Sequence, residues 1–98
     1  MARKRKLKAI DYIREGWCRY YAALDKNKRP IGVRDSRAAE WCSNGAIFAA
    51  YPEIDSIIAA QNKLASVIGV RVSGIPEWNN DPSRTKRQVL AAFRKAGI

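Results

Sequence analysis

Apolar residues along the 98-residue chain change period several times, and each period predicts an element. Leu7, Ile10 and Ile13 fall on one side of a short helix that Gly16 ends. From Trp17 to Leu24 the period drops to two. Cys18, Tyr20, Ala22 and Leu24 alternate with Trp17, Arg19, Tyr21 and Ala23, the pattern of a strand. Asp25, Lys26, Asn27, Lys28, Arg29 and Pro30 make a turn, and Ile31 to Val33 reads as a return strand that closes a hairpin. Asp35 or Ser36 caps a second helix running to about Ala50. It is apolar on most sides, through Ala38, Ala39, Trp41, Cys42, Ala46, Ile47 and Phe48, as a buried helix would be. Gly45 costs that helix about 1 kcal/mol against alanine. Either another backbone packs close there, or the helix breaks after Asn44. Pro52 opens a third helix that Gly69 ends, with a core stripe of Ile54, Ile57, Ile58, Leu64, Ala65 and Ile68. Residues 70–81 read as a connector with a short extended piece at Val70, Arg71 and Val72. Asp81 as N-cap and Pro82 in the first turn then open the last helix, whose buried face is Val89, Leu90, Phe93 and Ala96. The expected fold is α+β and mainly helical: about four helices with one small β-hairpin near the N-terminal third. It occupies residues 7–98 as one domain behind a flexible basic tail, residues 1–6.

Charge changes the picture more than composition does. Nineteen Lys and Arg face nine Asp and Glu, a net of +10. The excess is uneven. Residues 1–37 hold twelve bases against four acids, residues 38–82 two against five, and residues 83–98 five bases and no acid. Both ends are cationic and the middle is not, which favours polyanionic partners. No apolar run approaches the ~20 residues of a membrane span. No apolar signal segment follows the basic N-terminus, so the expected compartment is the cytoplasm. Cys18 and Cys42 then read as two buried thiols.

Three clusters form a pattern of their own. They are Trp41-Cys42 followed by Gly45-Ala46-Ile47; Trp78-Asn79-Asn80-Asp81; and Arg84-Thr85 followed by Val89-Leu90. An aromatic stretch begins at Gly16-Trp17-Cys18. Their order and spacing, over about residues 7–97, resemble a family of small uncharacterised proteins of bacteria and their phages. The resemblance implies a phage or mobile-element origin. It implies no mechanism, because the family carries no assigned activity. Asn80 is inserted into the Trp-Asn-Asp string of the familiar pattern, which shifts the residue that caps the last helix.

The sequence holds no histidine. The commonest general base is therefore absent, and neither a Ser-His nor a Cys-His nucleophile pair can form. Two cysteines cannot complete a zinc site. Asp11 and Glu15, one helical turn apart, have a spacing that can share a metal but also suits a solvated face offsetting Lys8 and Arg14. No Gly-rich phosphate loop is present. No metal site and no cofactor is expected. The remaining candidates are cationic. Arg3, Lys4, Arg5 and Lys6 suit backbone phosphates. Arg19, Tyr21, Lys28 and Arg29 interleave charge with the aromatic rings of Tyr20 and Tyr21. Arg84, Lys86 and Arg87 sit where the free N–H groups of the last helix would also meet an anion. Trp78, Asn79 and Asn80 form a polar cluster that could grip a ligand or an interface. A helix-turn-helix is not expected, because about thirteen residues separate the last two predicted helices.

The expected function is non-enzymatic binding of an anionic partner, nucleic acid or nucleotide phosphates. One alternative is a phage-encoded anti-defence protein that grips an acidic surface of a host protein or sequesters a nucleotide signal in the host cytoplasm. A second is an enzyme resting on carboxylates alone. A homo-oligomer is compatible with each.

Overall fold

The structure is a computed structural model that describes residues 8–98. The basic tail, with Arg3, Lys4, Arg5 and Lys6, lies outside the described residues. Among the described residues there are five α-helices and a two-stranded antiparallel sheet: α1 (Ala9–Glu15), β1 (Ala23–Asp25), β2 (Ala38–Trp41), α2 (Ser43–Ala50), α3 (Ile54–Ile68), α4 (Ile75–Asn80) and α5 (Lys86–Ala96). A 3-10 turn, Val72–Gly74, leads into α4. The fold is α+β and mainly helical, as the patterning predicts.

Trp41 anchors the core. It is buried, its indole N–H donates to the Val33 carbonyl at 2.9 Å, and the Tyr12 ring meets it edge-on at 5.0 Å. Around it pack Ile13 of α1, Ile47 of α2, Leu64 of α3, Ile75 of α4 and Phe93 of α5. The chain's far ends meet where Ile10 donates its N–H to the Ile98 carbonyl at 3.2 Å.

Several expectations change. The hairpin pairs β1 with residues 38–41, which the apolar run assigns to a helix; Ala23 faces Trp41 and Leu24 faces Glu40. The reason is local. Asp35 accepts the Arg37 N–H at 2.9 Å and closes a turn instead of opening a helix, and a short apolar run carries no period strong enough to overrule strand pairing. Residues 31–33 form no strand: the one bridge here is Pro30 to Leu24, just before them, and the Ile31 N–H donates to the Ala23 carbonyl.

Regular strand geometry in residues 17–24 is limited to β1 and one parallel bridge from Trp17 to Trp41. The supposed connector holds α4, with Pro76 in its first turn. The last helix begins at Lys86, after Asp81. Thr85 accepts the Gln88 N–H and Gln88 accepts the Thr85 N–H, a capping box that outcompetes Asp81.

Gly45 settles its two readings. A Cβ there would stand 1.9 Å from the Ala22 carbonyl oxygen, so α2 runs through and the backbone of residue 22 presses against it. On α3, Ile57, Ala60, Leu64 and Ala65 are buried, whereas Ile54 and Ile58 of the expected stripe are exposed.

Candidate nucleic-acid interface

The segment from Trp17 to Ala22 is irregular, yet almost every residue in it is tied down. Asn79, at the end of α4 and only 1% exposed, is the main tie. Its carbonyl oxygen accepts from the Trp17 indole N–H at 2.8 Å, the Ser43 N–H at 2.9 Å and the Ser43 hydroxyl at 2.6 Å. Its amide nitrogen donates to the Cys18 carbonyl at 3.1 Å and to Asn80 Oδ1 at 3.0 Å. That Asn80 oxygen also accepts the Tyr20 N–H at 2.8 Å. The Cys18 thiol donates to the Tyr21 carbonyl at 3.4 Å. The Ala22 carbonyl accepts the Cys42 N–H at 3.1 Å.

These ties hold Tyr20 at φ 72°, the left-handed region that costs a non-glycine residue about 1–2 kcal/mol. A bulky residue there is an outlier that persists only where its surroundings over-determine it. The result is outward display: the side chains of Tyr20 and Tyr21 are 70% and 50% exposed. Neither belongs to the hydrophobic core.

Arg19 and Arg84 flank the bulge. Arg19 lies 4.5 Å over the Trp17 ring and donates to the main-chain carbonyls of Asp81, Pro82 and Arg84. Arg84 lies 4.3 Å over the Trp78 ring and donates to the Trp78 carbonyl at 3.0 Å. Carbonyls and ring faces orient a guanidinium without cancelling its charge. Asp81 is an acid that feels both charges. Its carboxyl is held below the usual range first by the Ser83 N–H and hydroxyl, and then by the charges of Arg84 and Arg19.

The structure therefore gathers Arg19, Tyr21, Trp78, Asn79, Asn80 and Arg84, but in two roles. Asn79 is buried and fully engaged, and Asn80 holds backbone, so they build the site and do not face a ligand. Trp78 is half-buried under Arg84. The other predicted cations stand elsewhere. Lys28 pairs with Glu40 across the hairpin. Arg29 is exposed at the hairpin turn, where Lys26, Asn27, Ser36 and Arg37 border an open cleft of about 450 Å³. Asp25 and Asp35 sit beside that cleft. Arg37 donates to Asp35, whose carboxyl falls to about 2, chiefly through that side-chain bond. Lys86 is drawn away to the Arg14 carbonyl at 2.8 Å, at the negative end of α1. Arg87 is exposed on α5, as are Arg94 and Lys95. The capping box fills two of the donors at the start of the last helix, the N–H groups of Thr85 and Gln88.

Ser43 and Trp17 were not singled out as partners of Asn79, because no spacing rule connects positions 17, 43 and 79. Both cysteines are free thiols. Burial pushes Cys18 up to about 12, with Cys42 and Glu40 adding and Lys28 opposing, and burial raises Cys42 as well. Cys42 is spent structurally, accepting the Gly45 N–H as the cap of α2. Among the described residues no group of three or more Cys, Asp or Glu can hold a metal ion, and no helix is long and apolar enough to cross a membrane.

The exposed Tyr20 and Tyr21 and the adjacent Arg19 and Arg84 are thus held together by residues distant in sequence, Ser43, Asn79 and Asn80 among them. The chain belongs to a family of unknown function, DUF6197, whose model matches residues 7–97. No curated protein and no solved structure matches it.

Proposed function

We propose that the protein binds single-stranded nucleic acid, stacking exposed bases on Tyr20 and Tyr21 and holding phosphates with Arg19, Arg84 and, further along, Lys26 and Arg29. The observation that carries this reading is Tyr20: a large aromatic side chain kept in water on a strained backbone, beside two arginines whose charges no bonded carboxylate cancels. Stacking on an aromatic side chain is worth about 1–3 kcal/mol per base and tolerates any sequence, because every base has a π-face. A duplex hides its bases and offers little to such a platform. A free nucleotide offers one base and one phosphate group, and is the weaker form of the same ligand. The basic tail, outside the described residues, adds charge that follows any phosphate backbone. The motif resemblance alone motivates a bacterial or phage setting and a role in the host cytoplasm.

The test is fluorescence anisotropy with a labelled single-stranded oligonucleotide at low salt, repeated with duplex and with a mononucleotide. Single-strand binding should be strongest and should fall steeply with salt. Tyr20→Ala should weaken it about 5- to 100-fold, and Tyr21→Ala should also weaken it. Wild-type affinity in both tyrosine variants, or no single-strand binding at low salt, would refute the reading. Tight stoichiometric mononucleotide binding without polymer binding would replace it with nucleotide sequestration.

A further inference from the structure

A second exposed surface lies away from the tyrosines. Ile54 and Ile58, one turn apart on α3, are 66% and 47% exposed, and Phe48 on α2 is 38% exposed. Fully burying an isoleucine side chain is worth about 1.5–3 kcal/mol, and this surface forgoes about half or more of that gain at each of the two.

We propose that α3 packs antiparallel against α3 of a second copy, about a two-fold axis beside Ile58 and Ala59. The charge pattern selects this occupant. Asp55, Ala59 and Lys63 follow one another at intervals of four on the exposed side of α3. With Ala59 at the axis, Asp55 and Lys63 stand about 6 Å to either side, at 1.5 Å rise per residue. An antiparallel two-fold brings the acid of one copy level with the base of the other, twice over. The small side chain of Ala59 at the crossing lets the helix axes approach to about 8–10 Å, and Ile58 meets its own counterpart. Each copy carries +10 overall, yet residues 38–82 hold five acids against two bases. Copies meeting through α3 therefore escape most of their mutual repulsion. Glu53 and Asp55 make the same surface a poor seat for a polyanion.

Sedimentation velocity over a concentration series tests this on the wild-type chain. A contact of this size predicts a weak dimer, with a dissociation constant of about 10 μM to 1 mM. Ile58→Asp should weaken it at least about tenfold with the far-UV circular dichroism unchanged, because the residue contributes little to the core. Asp55→Lys and Lys63→Asp should each weaken it about three- to tenfold, and the double variant should return to within about threefold of wild type. A monomer throughout would overturn the proposal. So would a dimer that survives Ile58→Asp, or a charge swap that fails to restore association. Oligonucleotide binding plays no part in the readout, so this inference and the single-strand reading fail separately.

Discussion

Replacing Asn79 by alanine should cost more than any other single polar substitution in the described fold. The amide makes five hydrogen bonds from a position 1% exposed. Its removal does not strand every partner. The Ser43 hydroxyl can rotate, the half-buried Trp17 indole can reach water, and Asn80 remains near the surface. The Ser43 N–H and the Cys18 carbonyl have no such escape. A buried donor or acceptor left unpaired costs about 1–3 kcal/mol, so the variant should lose about 2–5 kcal/mol. A domain of this size is typically stable by about 5–15 kcal/mol and loses about 4–8 °C of Tm per kcal/mol. Melting should therefore fall by about 10–30 °C, measured by circular dichroism and cross-checked by urea unfolding. A double-mutant cycle isolates the contact. Ser43→Ala is costly in the wild type but cheap once Asn79 is gone, giving a coupling of at least about 1 kcal/mol. A loss below about 1 kcal/mol in Asn79→Ala, or additivity in the cycle, would refute the role assigned to this side chain.

Gly45→Ala reverses the sign that helix propensity gives. Propensity favours alanine by about 1 kcal/mol, but the new Cβ meets the Ala22 carbonyl, so a loss of about 3 kcal/mol is expected in denaturant unfolding. Tyr20→Gly relieves the left-handed strain and should leave Tm unchanged or slightly raised while oligonucleotide affinity falls; a marked loss of stability would mean that the ring packs. In acid, Asp35 has a folded pKa of about 2 against an ordinary value of 3.8. Its contribution is complete above 3.8 and is lost as pH falls toward 2; Asp35→Asn should flatten the acid limb of a Tm-versus-pH curve. Cys18 has the opposite sign: its pKa rises from 9.0 to about 12, so its contribution is complete below 9.0 and fades as pH climbs toward 12. Thiol reagents should label it slowly at neutral pH until denaturant is added.

The elements legible in the sequence were those with a strong period or clear punctuation. α1, α3 with Gly69 in the left-handed conformation just past its end, and the buried Val89 and Phe93 of α5 follow from spacing alone; Leu90 and Ala96 of the expected face are only partly buried, and Ala92 takes a core place instead. The elements misread were short. Ala38–Trp41 is apolar enough for either state, and only its partner β1 decides. α4 spans six residues, too few to show a period. Two strings compete for the start of α5: Thr85-Lys86-Arg87-Gln88 has the form of a capping box, and Asp81-Pro82 has an equally well-formed start four residues earlier. Asp81 instead binds the Ser83 N–H and hydroxyl in a tight turn. Among site residues, the sequence marked the cations by charge, and charge could not say that Lys28 and Lys86 are spent on Glu40 and the Arg14 carbonyl.

The motif residues carry an implication for where function lies in this fold. Trp17 and Cys18 from the aromatic stretch, Cys42 and Gly45 from the first cluster, Trp78 and Asn79 from the second and Arg84 from the third converge on one short segment. Their own polar atoms are consumed there: Asn79 by five bonds, Cys42 by the cap of α2, Trp17 by Asn79. A side chain whose hydrogen-bonding capacity is filled internally has none left for a ligand. The motif residues other than Arg84 are therefore the frame, and what the frame presents is the pair of tyrosines outside the three clusters. A frame this heavily bonded is unnecessary for a plain surface turn, which any Gly-containing loop would satisfy more cheaply. It is what a rigid display needs, because stacking energy is not then lost to ordering the loop on binding. Substitutions in the frame should accordingly lower stability and affinity together, whereas substitutions at Tyr20 and Tyr21 should lower affinity alone.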